Sequence, residues 1–286
     1  MLLCDHKKII TWIDKCNNSL SSNRVYILVG SEIEFYLRQS DQVPSQEKID
    51  IFSSYISECH ANLILEKEKG KGQYEIPLPY TLPKDALPLI SDVRSLIKAS
   101  AKKAGMEAIF DPKPFPNDYG SALHLHISMH SADGNNLFTD NQMLMESIIF
   151  SILDLIESDL DFICDEQDLD RLKEGWMAPS RICWGGNNRT TAIRIPADKP
   201  EHKRFEFRLP SANSDQYRIF LFILIGILRL KQVNKKHDKI YGNAYDEQYS
   251  LQPLRFCNNM EKKNFIDIDK IDVLVENLCR SAGFKL

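Results

Sequence analysis

The sequence predicts an α+β protein: a curved, largely antiparallel sheet with helices packed behind it. Helical and alternating segments mix along the chain instead of repeating as strand–helix units. Several alternating segments carry charged side chains on one face and aliphatic or aromatic ones on the other. No break in composition marks a domain boundary before about residue 257.

Residues 1–20 read as a short amphipathic helix and 25–37 as a strand, followed by a polar loop over 40–46. Ile49, Phe52, Tyr55, Ile56 and Cys59 recur at helical spacing. A strand is expected at 61–65, then a Lys/Gly turn at 69–72. Residues 85–104 predict a helix, with Pro88 in its first turn and Gly105 as its stop. A loop with three prolines leads to an alternating strand at 123–129, and Asp133–Gly134 marks a turn. A strongly periodic helix follows at 143–160, and 189–195 and 204–209 alternate again. The most apolar run, 219–230, is too short to cross a bilayer and reads as a buried helix. The organisation expected is a helical segment at 1–24, a main domain at 25–257 and a helical segment at 258–286.

Composition narrows the function classes. Hydrophobic content of 43% and charged content of 27% are those of a globular protein. A net charge of −4 gives no field that favours nucleic acid or an anionic membrane, so neither is expected as a partner. Seven scattered cysteines without a C-x-x-C pair read as reduced thiols in a cytoplasmic protein. The N-terminal residues carry charges inside any apolar stretch, which makes a poor signal peptide. No Walker-type phosphate loop, dinucleotide fingerprint, nucleophile elbow or H-E-x-x-H motif occurs.

The chemistry lies in the strands. Glu32 and Glu34 share a face opposite Ile33 and Phe35. His124, His126 and Ser128 share one opposite Leu123, Leu125 and Ile127. Arg204, Glu206 and Arg208 oppose Phe205, Phe207 and Leu209, and Arg194 opposes Ile193 and Ile195. One such strand would be an ordinary sheet with a wet face. Four carrying acids, imidazoles and guanidiniums suggest a shared cavity. There Glu32, Glu34, Glu206 and His124 would ligate Mg²⁺ or Mn²⁺. Arg189, Arg194, Arg204 and Arg208 would fork phosphate or carboxylate. That pairing suits phosphoryl transfer. Glu68 and Glu75, on either side of a glycine turn, could reach the same pocket; a solvated hairpin tip is the plainer alternative.

These segments resemble, in order, those of the glutamine synthetase family. Residues 30–37 (GSEIEFYL) resemble its first metal-binding strand, and 68–75 (EKGKGQYE) its glutamate–glycine–glutamine–glutamate segment. Residues 113–129 (KPFPNDYGSALHLHISM) resemble its lysine–proline lead into the H-x-H strand. Residues 171–196, ending in NNRTTAIRIP, resemble its flap and arginine region, and 204–210 (RFEFRLP) its last catalytic strand. The likeness runs from about residue 25 to 257. It implies the family's catalytic-domain fold and an ATP- and metal-dependent ligase in which glutamate's side-chain carboxylate becomes γ-glutamyl phosphate and an amine then displaces phosphate. It implies one metal site from Glu34, Glu68 and Glu75 and another from Glu32, His124 and Glu206. His126, Ser128 and Arg204 match nucleotide-contacting positions. Gly120, Arg171 and Arg208 match positions around glutamate, and Arg189 and Arg194 match arginines near the transferred phosphoryl group. It also implies a homo-oligomer, or a partner subunit that completes the site.

Three departures shape the expectations. Met177 stands where ammonia-using members carry a flap glutamate, which resembles the γ-glutamylpolyamine synthetase branch. Tyr119 stands where an asparagine is common. The family's β-rich N-terminal domain is expected to be absent, because only some two dozen residues precede the first metal strand. The alternatives are a non-catalytic or regulatory homologue and, more remotely, a guanidino-phosphagen kinase, which would not use six metal ligands.

Overall fold

The computed structural model describes residues 6–40, 42–229, 236–256, 273, 276–278 and 280. Its centre is the long strand β1 (Val25–Arg38). On one edge β1 pairs antiparallel with β3 (Gln73–Thr81), which carries the short β2 (Glu66–Lys67). On the other edge lie β4 (Glu107–Ile109) and β5 (Leu123–Ser131), both antiparallel. Beyond β5 come β8 (Phe205–Phe207), β7 (Ile193–Ile195), β6 (Trp184–Gly186) and β9 (Lys239–Ile240). Among the described residues only the β6–β7 and β6–β9 pairings are parallel, so the sheet is largely antiparallel as expected.

The apolar face follows from alternation. Val25, Ile27, Val29, Ile33, Phe35 and Leu37 of β1 are buried with Leu123, Leu125, Ile127, Phe205 and Phe207. Behind them pack α1 (His6–Ser22), α3 (Pro83–Lys103), α5 (Gln142–Asp159) and α7 (Gln216–Leu228), with α2 (Gln46–Cys59) against α3. α7 is buried on nearly every side, which explains its unbroken apolar run. Asp215 caps it by accepting from the Tyr217 and Arg218 amides. Two shorter helices, α4 (Leu137–Asp140) and α6 (Glu166–Arg171), complete the order. Burying a leucine- or phenylalanine-sized side chain contributes roughly 1.5–3 kcal/mol, so this face dominates stability.

Several local expectations are corrected. Residues 61–65 form a turn and irregular chain, and the strand begins at Glu66, because its partner is β3 across the glycine turn. Pro83, not Pro88, occupies the first position of α3; Pro88 lies inside the helix. Strand geometry in 189–195 is limited to Ile193–Ile195, so Arg189 stands on a turn. In 204–209 it is limited to Phe205–Phe207, with Arg204 and Arg208 flanking the strand. The helical segment expected at 258–286 lies outside the described residues, except 273, 276–278 and 280, which are helical.

Candidate active site

Strand register aligns the charged residues in rows across the open face. Glu66, Glu75 and Glu34 form one row over β2, β3 and β1. Glu32 pairs with His124 in the next. Gly30, His126, Glu206 and Arg194 form a third over β1, β5, β8 and β7. Directly opposed side chains on one sheet face lie close enough to interact.

Three clusters of potential metal ligands result: Glu34 with Glu68 and Glu75, Glu32 with Glu75 and His124, and Glu32 with His126 and Glu206. His124 Nδ1 lies 3.2 Å from Glu32 Oε2, 3.4 Å from Glu206 Oε1 and 4.0 Å from Glu34 Oε1. Burial, reinforced by the Arg208 charge, pushes His124 down to about 4, so it is a neutral imidazole, the form that binds metal. Burial and then the charge of Glu68 push Glu34 up to about 7. Burial and the charges of Glu32, Glu34 and Glu68 push Glu75 up to about 9. Burial would raise Glu206 too, but the Arg208 guanidinium beside it holds it down at about 2. Burial opposes ionisation of Glu32 as well, and its hydrogen bond to His124 together with the neighbouring His126 ring overcomes this and holds it well below the carboxylate range. Carboxylates that raise one another's pKa are a donor set suited to a hard divalent cation.

The tautomer of His126 follows from Arg204. Arg204 Nε–H donates to His126 Nδ1 at 3.2 Å, so the ring proton sits on Nε2. Nε2 lies 3.0 Å from Glu32 Oε1, yet out of line for a hydrogen bond, and is left as a buried donor without an aligned acceptor. A protonated Nε2 cannot ligate a metal, which favours His124 as the imidazole ligand. Arg208 Nε is likewise buried and unsatisfied. Arg194 Nη1 and Arg208 Nη1 both donate to Glu206, the former at 2.7 Å.

A cavity of about 360 Å³ opens beyond His126, lined by Leu28, Tyr80, Ser128, His130, Asp198 and Arg204 among others. Arg204 lies over the Tyr80 ring at 5.4 Å and pairs with Asp198 at 2.7 Å. Gly30 permits this: a Cβ there would stand 2.6 Å from the Tyr80 ring. On the other side of the carboxylates is a narrow cleft lined by Glu34, Glu68, Gly120, Arg171, Met177, Arg189 and Arg208 among others. Arg171, at the end of α6, is buried and donates to the carbonyls of Arg208, Leu209 and Pro210. Met177 adopts φ +56° and follows Gly175 at φ +89°. Its carbonyl accepts from Arg208 Nη2 at 3.3 Å, so the flap rests on a guanidinium of the site.

Every residue singled out in the sequence borders one of these three adjoining regions, except that Arg194 reaches them through Glu206. Sequence reasoning missed Tyr80 and Asp198 and gave Gln73 no role beyond its place in the 68–75 segment. Gly30, opposite Tyr80, was the hint of the first.

The sequence model described as glutamine synthetase, catalytic domain, matches residues 60–262. The chain is 27% identical over 277 residues to gamma-glutamylputrescine synthetase PuuA of Escherichia coli (strain K12), covering 82% of this chain and 58% of that one. It is 32% identical over 219 residues to glutamine synthetase of Pyrococcus horikoshii, covering 75% and 46%. The chain thus spans about half the length of these curated relatives. Among solved structures, Plasmodium falciparum glutamine synthetase superposes with TM-score 0.66 at 17% identity, covering 80% of this chain and 56% of that one. A GmaS/ADP complex superposes with TM-score 0.67 at 19% identity, covering 96% and 69%. At these identities the superpositions speak for the fold.

Proposed function

This chain belongs to the glutamine synthetase family, and we propose that it serves an ATP- and divalent-metal-dependent ligase joining glutamate's side-chain carboxylate to an amine. The observation that carries the reading is the single sheet face on which carboxylate clusters stand between the cavity beyond His126 and an arginine-lined cleft.

In this reading Glu34, Glu68 and Glu75 hold one Mg²⁺ or Mn²⁺, and Glu32, His124 and Glu206 hold another. A metal held there would supply charge neutralisation to a phosphoryl group, and ATP would supply the group that activates the carboxylate. The chain's own part is orientation. His126 offers its unsatisfied Nε2–H to a phosphoryl oxygen, and Arg189 and Arg194 offset charge during transfer. Ser128 and Arg204 border the nucleotide cavity. Gly120, Arg171 and Arg208 border the glutamate cleft.

The acceptor is proposed to be an amine larger than ammonia. Met177 gives the flap a thioether where a carboxylate would hold ammonium and take its proton, and Tyr119 and Trp176 form an edge-on aromatic pair with centroids 5.5 Å apart near it. Met177 is 42% exposed and Arg189 is exposed, so the reading includes a second copy or a partner subunit covering the mouth. Among the described residues no helix is long and apolar enough to cross a membrane.

The test is glutamate-dependent release of phosphate from ATP, with Mg²⁺ or Mn²⁺, across ammonia, alkylamines and diamines. Release that needs both glutamate and an amine supports the ligase. ATP and metal binding without any turnover would favour the non-catalytic homologue instead.

A further inference from the structure

The carboxylate cluster and the opposite wall of the cleft are joined by a buried side chain at the cleft's edge. Gln73 opens β3 opposite Tyr36 and is 2% exposed. Its Oε1 accepts from the Gly70 amide at 3.0 Å. Its Nε2 donates to the Gly120 carbonyl at 2.9 Å and approaches Ser121 Oγ at 3.4 Å. Its backbone carbonyl accepts from the Glu68 amide at 3.0 Å. One residue therefore fixes the turn that carries Glu68 and also the peptide of Gly120.

Neighbouring bonds run between the same two segments. Tyr36, fully buried, donates its hydroxyl to the Tyr119 carbonyl at 2.7 Å. Asp118 Oδ2 accepts from the Lys71 amide at 2.9 Å. The joint is tight enough to require glycine twice. A Cβ on Gly70 would stand 2.2 Å from the Tyr36 hydroxyl and 2.7 Å from Gln73 Oε1; one on Gly120 would stand 2.2 Å from Arg171 Cγ. Side chains held this closely transmit a displacement instead of absorbing it.

We propose that Gln73 is a positioning residue that couples occupancy of the Glu34–Glu68–Glu75 cluster to occupancy of the Tyr119–Gly120 wall. Metal binding draws Glu68 toward its partners, Gln73 carries that constraint to Gly120, and the wall is set before glutamate arrives. A ligand on the wall restrains Glu68 in return, because coupling between two sites is reciprocal. The benefit lies in orientation: the carboxylate to be activated must meet the metal-held phosphoryl group within a few tenths of an ångström. The inference rests on the proposed assignment of metal and glutamate to this face.

The test measures the Kd of Mn²⁺ with and without saturating L-glutamate in the full chain. The wild type is expected to bind Mn²⁺ about fivefold or more tightly when glutamate is present. Gln73→Met keeps the volume and removes the side-chain hydrogen bonds; Gln73→Asn keeps the amide but is too short to span Gly70 and Gly120. In both, the ratio of the two Kd values is expected to fall toward one, a change that a general loss of stability does not produce. A wild-type ratio kept in both variants overturns the proposal, because coupling would then run through direct contact of glutamate with metal. A wild type that binds both ligands with a ratio of one overturns it too. A wild type that binds neither overturns the underlying reading of the site. Should Gln73→Met not fold, Gln73→Asn carries the test; if that also fails to fold, Gln73 is a residue the fold requires and the assignment is overturned.

Discussion

Glu34→Gln should stabilise the metal-free protein above neutral pH. Glu34 is clustered with Glu68 and Glu75, and its carboxyl is pushed up to about 7 from an ordinary 4.5. A carboxyl raised on folding contributes stability that is fully present below about pH 4.5 and is lost as pH rises through 7. By pH 8 the loss amounts to about 3 kcal/mol. Glutamine keeps an oxygen for the Ala122 amide, which now donates to Glu34 Oε2 at 2.8 Å, and its amide hydrogens can donate to the neighbouring carboxylates. In chelator, the variant's Tm should therefore exceed the wild type's at pH 8 by roughly 6 °C or more, and the gap should shrink to about a quarter of that at pH 5. Excess Mn²⁺ should raise the wild type by mass action and the variant less, since one ligand is gone. Differential scanning fluorimetry at both pH values, with chelator and with metal, decides it. An unchanged gap between pH 5 and 8, or a wild-type Tm indifferent to metal, would refute the reasoning.

Other outcomes follow from the same geometry. Mn²⁺ affinity should rise between pH 6 and 9, because Glu34 at about 7 and Glu75 at about 9 must lose protons before they ligate; calorimetry in buffers of different ionisation heat should show the released protons, and a flat profile would count against the cluster. Gly30→Ala should weaken ATP binding about tenfold with little effect on Mn²⁺, since its Cβ would displace the Tyr80 ring from the nucleotide cavity; equal ATP affinity would remove Tyr80 from the site. Met177→Glu should shift relative kcat/KM from alkylamine toward ammonia, as read by product analysis of competing amines, and an unmoved ratio would show that the flap does not choose the acceptor. Met177→Gly should stabilise by about 1 kcal/mol, because a non-glycine residue at φ +56° is strained; a lower denaturation midpoint would mean the side chain's contacts outweigh that strain.

Much of the sheet could be read from alternation. The parity of residues 25–37 sends Ile33 and Phe35 to the core and Glu32 and Glu34 to the open face, as found. Parity is local, so it survives without knowledge of neighbours. The short strands β4, β6 and β9 were not legible, because two or three residues carry no period and are strands only by virtue of what they pair with. Pro88 misled for a related reason: α3 begins two residues earlier, at Pro83, where a second proline serves the first turn.

The sequence by itself determined the family, the open face and the kinds of donor on it, since these depend on residue identity and on spacing along one strand. Only the tertiary structure decided which donors meet. Glu66, Glu75 and Glu34 share a row because β2, β3 and β1 pair in that register. His126 carries its proton on Nε2 because Arg204, 78 residues away, donates to the other nitrogen. Glu34 is pushed up and Glu206 held down because the neighbours that set their charge come from distant strands. Register and electrostatic environment are properties of pairs brought together by folding, and no single segment contains them.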